Sequence, residues 1–459
     1  MQHCDAIIIG AGQSGFPLAG HLPGAGWKTA LIEADVLGGT CVNTGCTPTK
    51  TIIASAHAIH MARRGEFFGF STGPVEVDMR RIKERAQERI MSSRTGLQNW
   101  LENLDGLDVI YGRGELEGPN TVRVNGELLQ AEHIIINTGT RPNVPPIDGL
   151  DTVAYMTSDD LLQLDFVPEH LVIVGGSYIG LEFAQAYRRF GSRVTIVEMA
   201  PVLIGREDPD ISEAVRSIME NEGIDVRTSS TCIAVENRDG RIAVKMDCAD
   251  DEKEVVGTHL LLATGRKPNS DIGLERAGVE VTKRGYVVVD ERLQTNVPNI
   301  WATGDVNGRG AFTHTSWNDY EVLVDVLLGD DVRRVGDRVL TYALFIDPPL
   351  GRVGMTERQA REAGHEVLVA SKPMRDIGRA IEKGETQGLM KFLVDAQSHR
   401  FLGAAVLGTG GDEIIGSVTN LIYADAPYTV FKDAVHAHPT VTELIPTTLG
   451  SLQPLGERA

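Results

Sequence analysis

Cysteine is scarce, at five in 459 residues, so the chain has no disulfide framework of the kind that staples small secreted domains, and a cytoplasmic location is expected. Basic residues are also short: 44 Lys and Arg stand against 63 Asp and Glu, a net charge of −19. Phosphate binding needs a basic footprint, so neither nucleic acid nor an anionic membrane surface is expected as a partner. Long hydrophobic runs are missing. The longest, such as Ala6 to Ile9 and Leu171 to Val174, are strand-sized and far short of a membrane span. The first such run follows Asp5 directly, which argues against a signal or transit peptide ahead of it. Low complexity is absent too, because the fifty glycines are spread along the chain and mark tight turns and close backbone approaches. What remains is 42% hydrophobic, enough for packed cores, and too long for one core.

Two segments repeat one pattern. AIIIGAGQSG (Ala6 to Gly15) leads through a helical stretch to TALIE, ending at Glu33. LVIVGGSYIG (Leu171 to Gly180) leads through LEFAQAYRRFG to VTIVE, ending at Glu198. In both, the acid lies 18 positions after the last glycine. Each is an apolar β-branched run, a glycine turn, an amphipathic helix and a second strand, the opening of a βαβ unit. One such glycine turn is a weak signal; two with matching strand, helix and acid spacing predict two dinucleotide-binding domains. Gly10 and Gly175 permit the tight turn, Gly12 lets the backbone approach a pyrophosphate, and the terminal acid accepts from a ribose hydroxyl. Ser177 stands where the second copy's middle glycine is expected and is small enough to be tolerated.

Between the copies a charged helix is expected near Arg80 to Glu102, then short strands around Val109 and Val122. HIIINTGTRPNVPP (His133 to Pro146) and its sister HLLLATGRKPN (His259 to Asn269) read as strands running into domain exits, and IWATGDVNG (Ile300 to Gly308) as a strand ending in a Gly-Asp turn. From about residue 338 the pattern changes to strands alternating with helices and carries no phosphate loop. The fold class is therefore α/β: two Rossmann-like domains, the first discontinuous, with a C-terminal α+β domain.

The chemistry centres on GGTCVNTGCTPTK, Gly38 to Lys50. Residues five apart on a regular helix point about 140° away from each other. Cys41 and Cys46 can therefore bridge only across a distorted turn, which Gly45 permits, while Pro48 suits the first turn of a restarted helix. A zinc or copper site using these cysteines with His57 and His60 is one reading, and two unpaired core cysteines another. A redox disulfide is favoured, because the pair follows the first nucleotide loop so closely. The other cysteines, Cys4, Cys232 and Cys248, show no partner pattern; Cys4 and Cys232 sit in strand-like contexts and are expected to be inert.

With its glycine loops and GGTCVNxGCxPxK signature, the sequence resembles the flavoprotein disulfide reductases over essentially its whole length. GCTPTKTIIASA, VEMAPVLIGREDPDI and DPPLGRVGMTERQAREAG are most similar to the mercuric-reductase-like branch, which includes the reactive-chlorine-resistance flavoprotein and the hypothiocyanite reductases. The resemblance implies FAD on Gly10, Gly12, Gly15 and Glu33, with Gly39, Thr40, Thr138, Gly139 and Asp305 also against it. A nicotinamide nucleotide is implied on Gly175, Gly180, Glu198 and Gly265, with Tyr178 gating its pocket. Lys50 and Glu182 would pair near the flavin. Cys46 would be the thiolate resting on the flavin and Cys41 the interchange thiol. His438, with Glu443 five residues on, would serve as acid/base from the second subunit of a homodimer, whereas His436 lacks the following proline. No resident metal is implied. On this reading residues 1–150 and 269–337 form the FAD-binding domain, 151–268 the NAD(P)H-binding domain and 338–459 the dimerisation domain.

Glu198 favours NADH, since a carboxylate repels a 2′-phosphate; Met199 follows where an NADPH enzyme would place arginine, although Arg206 is close in sequence. The tail LGSLQPLGERA holds no cysteine and no CxxC domain precedes Gly10, which argues against mercury handling and against a large thioredoxin reductase. The expected function is NAD(P)H-driven reduction of a small thiol-reactive oxidant or disulfide, hypothiocyanite-type favoured. Dihydrolipoamide dehydrogenase is the alternative, followed by a mercuric or copper ion reductase. Against the first alternative stands THTSWNDYEVL: that family has small, apolar residues opening this helix beneath the flavin, whereas His314, Trp317, Asn318 and Asp319 are polar and bulky and resemble the chlorine-resistance branch. These residues would otherwise simply cap and solvate a helix start.

Overall fold

The computed structural model describes residues 2–247 and 254–456; Cys248 lies outside them. The first βαβ start is built as expected. Strand β1 (Gln2–Ile9) runs parallel to β2 (Thr29–Glu33), with α1 (Gly15–His21) between them. Helix α2 (Gly39–Asn43) and helix α3 (Cys46–Arg63) follow, then α4 (Met79–Leu101). The last buries Met79, Ile82, Ala86 and Ile90, a three- and four-residue spacing that makes one apolar stripe. Asp78 caps it by accepting the Arg81 N–H at 3.0 Å.

Strands β3 (Leu107–Tyr111), β4 (Glu115–Gly118), β5 (Thr121–Val124) and β6 (Glu127–Ile136) complete a seven-stranded sheet, in the order β3-β2-β1-β6-β5-β4 with the strand Ile300–Ala302 also on β6. Its central strands β1 and β6 carry fully buried isoleucines at both inward and outward positions, as a parallel sheet covered on both faces requires. Cys4 is buried on β1 and Cys232 lies within the strand Thr231–Arg238.

The second βαβ start, His170–Val174, the helix Tyr178–Phe190 and Arg193–Val197, forms the centre of a parallel five-stranded sheet with Asp225–Arg227, His259–Leu262 and Tyr155–Met156. A six-stranded antiparallel sheet, opening with Thr341–Leu344 and Leu350–Gly354, makes the C-terminal layer under the helix Gly411–Tyr423. Helix α3 packs against both α4 and the helix Tyr178–Phe190, so it ties the two nucleotide units together at the cysteines. Among the described residues no helix is long and apolar enough to cross a membrane.

Candidate active site

The two glycine loops are held by the same steric lock. Gly10 has φ +106°, and a Cβ there would fall 2.2 Å from the Asn137 carbonyl; Gly175 has φ +118°, with the equivalent atom 2.4 Å from the Ala263 carbonyl. At Gly15 and Gly180 a Cβ would strike the carbonyls of Gly10 and Gly175, at 2.0 and 2.1 Å. Gly12 faces Asn137 Oδ1 at 3.0 Å from its would-be Cβ, whereas Ser177 sits in extended backbone and carries its side chain without strain. The closing acids match as well. Glu33 accepts the N–H groups of Ala11 (2.8 Å) and Asp35 (2.9 Å), and Glu198 those of Gly176 (2.5 Å) and Ala200 (2.7 Å). Burial raises the Glu33 carboxyl, and these backbone donors counter it.

The two exit strands, Thr140–Pro142 and Arg266–Pro268, pair with each other and bring Gly139 and Gly265 to one place. Both glycines have positive φ, +65° and +92°, and open space where a side chain would stand. The Thr138 hydroxyl donates to the Asn269 carbonyl at 2.7 Å, and Arg266 reaches Thr140 and, at 3.5 Å, the Thr40 hydroxyl. Asp305 accepts from the Thr140 hydroxyl at 3.1 Å, and burial raises its carboxyl. Gly39 packs on Gly12, since a Cβ there would lie 2.8 Å from the Gly12 Cα.

Asn137 was not among the expected site residues. Its Oδ1 accepts the Gly15 N–H at 2.9 Å and its Nδ2 donates to the Thr303 carbonyl at 2.9 Å, so it clamps the first glycine loop to the Asp305 turn. The signal was the one exchange of a polar for an apolar residue between the sister exits, Asn137 against Ala263.

Helix α2 ends at Asn43, Gly45 breaks the chain direction at φ −129° and ψ −119°, and α3 restarts at Cys46 with Pro48 buried in its first turn. A Cβ on Gly45 would lie 2.8 Å from the Thr40 carbonyl, so this is the expected distortion. Cys41 and Cys46 are both free thiols, one on either side of the Gly45 break. The neighbouring Cys41 thiol, with the Thr313 hydroxyl and the Lys50 charge, holds the Cys46 thiol below its usual range against burial. The Cys46 thiol and burial push Cys41 up. Of the two, Cys46 is the one the site favours as thiolate.

Lys50 and Glu182 meet at 2.6 Å; Glu182 is 5% exposed, accepts the Phe345 N–H at 3.0 Å, and Lys50 lies over the Phe345 ring. Thr313, missed in the sequence, places its hydroxyl 3.3 Å from the Cys46 sulfur from the first position of the helix Thr313–Leu328. Of the two readings open for His314, Trp317, Asn318 and Asp319, the one in which they merely cap and solvate a helix start does not hold at Asp319. Asp319 is buried and accepts the Gly304 N–H at 2.7 Å and the Asn307 side chain at 3.0 Å, while pairing with Arg338. It braces the Asp305 turn. His314 bonds the Thr341 carbonyl at 2.7 Å, Asn318 accepts from Arg338, and Trp317 packs edge-on against Phe16 and Tyr320.

His438 Nδ1 bonds Glu443 at 2.8 Å, and the ring is 82% exposed; no hydrogen bond joins it to either cysteine within the chain. His436 stacks on Phe431 and bonds its carbonyl. His57 is engaged with Asp347 at 2.8 Å, and Cys41, Cys46, His57 and His60 are not gathered around one point. Among the described residues the sole carboxylate-rich group within reach of one ion is Asp208, Asp210 and Glu357, and the Lys391 ammonium already bonds Asp210 and Glu357.

The profile of the pyridine nucleotide-disulphide oxidoreductases matches residues 4–319, and that family's dimerisation domain matches residues 340–449. The chain is 37% identical over 452 residues to the probable pyridine nucleotide-disulfide oxidoreductase RclA of Escherichia coli, covering 96% of this chain and 98% of that protein. It is 34% identical to a mercuric reductase of Bacillus cereus, over 90% of this chain and 66% of the other. The solved structure of the HOCl-induced flavoprotein disulfide reductase RclA from E. coli superimposes with a TM-score of 0.88, at 37% identity, over 97% of this chain and 99% of that one. The family implies FAD and a pyridine nucleotide, and the residues present suit both. Beside the first loop Ser14 Oγ and Thr303 Oγ1 are buried without a hydrogen-bond partner, and the faces of Gly139 and Gly265 are open to a close-lying ligand. The chain therefore belongs to the pyridine nucleotide-disulphide oxidoreductases and is a flavoprotein enzyme of that family.

Proposed function

We propose that this enzyme uses NADH to reduce a small thiol-reactive oxidant of the hypothiocyanite type at Cys41 and Cys46. The observation that carries the reading is the placing of the two free cysteines across the Gly45 break, with the Thr313 hydroxyl 3.3 Å from the Cys46 sulfur and Lys50, paired with Glu182, on the same helix as Cys46. In this reading residues 1–150 and 269–337 bind FAD through Gly10, Gly12, Gly15, Glu33, Gly39, Thr40, Thr138, Gly139 and Asp305. Residues 151–268 bind the nucleotide through Gly175, Tyr178, Gly180, Glu198 and Gly265, and 338–459 form the interface of a homodimer. FAD, when bound, supplies the two-electron link between the nucleotide and the cysteines. Lys50, oriented by Glu182, lends positive charge to the Cys46 side of the site. NADH rather than NADPH is supported by Glu198, whose carboxylate repels a 2′-phosphate, and by the exposed Met199 beside it, where an NADPH enzyme would place arginine.

Cys41, carrying a proton and a raised pKa, needs a base before it can attack. His438, oriented by Glu443 and fully presented on the surface, suits that task when it comes from the partner subunit. The Cys41 thiolate attacks the electrophilic sulfur of the oxidant and expels hydroxide, which takes up the proton held by His438 and leaves as water. Cys46 then attacks the Cys41 sulfur, forming the disulfide and releasing thiocyanate. The oxidant gains two electrons and the dithiol loses two. Such a step suits a reduced cytoplasmic setting.

NADH consumption by the purified enzyme, at matched concentrations of hypothiocyanite, lipoamide, glutathione disulfide and mercuric ion, tests the reading. A rate confined to hypothiocyanite is the expected result. Fast turnover with lipoamide instead would overturn it in favour of a dihydrolipoamide dehydrogenase, the reading that the His438–Glu443 pair and Glu198 also suit, and mercuric turnover would favour an ion reductase.

A further inference from the structure

The strap that follows Glu198 runs from the nucleotide loop to the C-terminal layer. On it Ile204 is buried at φ +40°, a left-handed conformation that a β-branched residue seldom adopts. Its N–H donates to the Gly176 carbonyl at 2.9 Å, and its carbonyl accepts the Glu207 N–H at 2.8 Å. Strain of this kind persists where the surroundings over-determine it, and it gathers at functional sites.

Three residues further on, Glu207 accepts the Tyr342 hydroxyl at 2.5 Å through Oε1, and the Arg352 guanidinium at 2.7 Å through Oε2. Asp208 takes the same guanidinium at 3.0 Å, and all three charged groups are buried. Tyr342 thus hangs from the strap by a charge-assisted hydrogen bond, the stronger class. Its ring stacks on Phe312, 5.5 Å between centroids and 16° from parallel, and meets the edge of Tyr178 at 5.5 Å and 87°. Phe312 immediately precedes Thr313, which touches Cys46. Tyr178 opens the helix of the second glycine loop.

We infer that Tyr342 is a positioning residue for the nicotinamide ring. Glu207 holds the Tyr342 hydroxyl, the Tyr342 ring backs Tyr178, and Tyr178 sets the nicotinamide at hydride-transfer distance. The inference rests on Tyr178 gating the nicotinamide pocket, as the proposed function has it. One strap then serves both ends of the nucleotide: Glu198 at the ribose, and Glu207 through two tyrosines at the reacting ring.

The test uses the FAD-loaded enzyme, mixed anaerobically with NADH while flavin absorbance is followed. Tyr342→Phe removes one oxygen and leaves Glu207 paired with Arg352, so it carries the test should Glu207→Gln not fold. Both variants are expected to slow the limiting flavin reduction about tenfold, the scale of one lost charge-assisted hydrogen bond that positions a reacting group. The NADH dissociation constant, set mainly at the adenosine end, is expected to move less than about threefold on the same reasoning. In a Tyr178→Ala background Tyr342→Phe should change the rate less than about twofold, because its effect passes through that ring. The near-ultraviolet circular dichroism change on adding NAD+, a tyrosine signal, should shrink in Tyr342→Phe. Limiting rates equal to wild type, or the full loss persisting without Tyr178, would overturn the inference. A wild-type flavin that NADH fails to reduce would overturn the functional reading itself, and the inference with it.

Discussion

Replacing Thr313 by valine removes one hydroxyl and keeps the shape of the side chain. That hydroxyl lies 3.3 Å from the Cys46 sulfur and helps to hold its thiol below the usual range. A hydrogen bond to a charged group contributes about 1.5–3 kcal/mol. Because Cys46 is exposed, solvent screening cuts that to about 0.7–1.4 kcal/mol, or about 0.5–1 unit of pKa at 1.36 kcal/mol per unit. The shift is upward, since the lost donor favoured the thiolate. Below the thiol's pKa the thiolate fraction should fall about three- to tenfold, and well above it not at all. The assay is alkylation of the reduced enzyme by iodoacetamide across a pH series, with Cys46 followed by peptide mass spectrometry. Thr313→Ser should restore the wild-type midpoint. A midpoint in Thr313→Val within about 0.2 unit of wild type, a small fraction of the worked shift, would refute the reasoning.

Cys41→Ser should abolish oxidant reduction while NADH still reduces the flavin; loss of bound FAD instead would contradict the role given to Cys41. Arg352→Met should cost about 3 kcal/mol, because Glu207 and Asp208 would lose the buried guanidinium they share, leaving Glu207 the neutral Tyr342 hydroxyl and Asp208 the Lys391 ammonium at 3.6 Å, and a melting temperature unchanged in the variant would dispose of that account. Burial alone would raise the Asp347 carboxyl, but His57 and Arg189 outweigh it and hold it below the usual range. Its contribution is therefore present above about pH 4 and lost as the pH falls below. His57, raised chiefly by its hydrogen bond to Asp347, contributes below about pH 6.5 and less as the pH rises through its own elevated value. Across pH 3–8, melting curves for Asp347→Asn should lose both slopes, and those for His57→Gln the one near neutral pH while keeping the part of the acid slope that Arg189 supports; curves parallel to wild type would refute both.

What could be read from the chain was local. Gly10, Gly15, Gly175 and Gly180 announce themselves because their sterics are settled within a turn, and Gly45 and Pro48 mark the broken helix between the cysteines for the same reason. The acids at Glu33 and Glu198 follow by simple counting. Contacts that join distant parts of the chain left no such trace. Thr313 meets Cys46 across 267 residues, and Arg352 meets Glu207 across 145. Asp319 looked like a helix-start carboxylate and turned out to be a buried acceptor for Gly304, because the fold brings the Asp305 turn over it. Tyr342 sat in an ordinary strand pattern, and the acceptor of its hydroxyl, Glu207, lies 135 residues away.

The asymmetry between Asn137 and Ala263 separates a lodger from a visitor. The first loop is stitched by one amide to the far turn of its own domain, so opening it means breaking two buried hydrogen bonds together. The second loop has a methyl at that place and no stitch. With FAD on the first loop and the nucleotide on the second, as proposed, a resident cofactor and one that leaves in every cycle ask for these two degrees of grip. A single side chain at matching positions of a repeated motif would then tell the tenants apart.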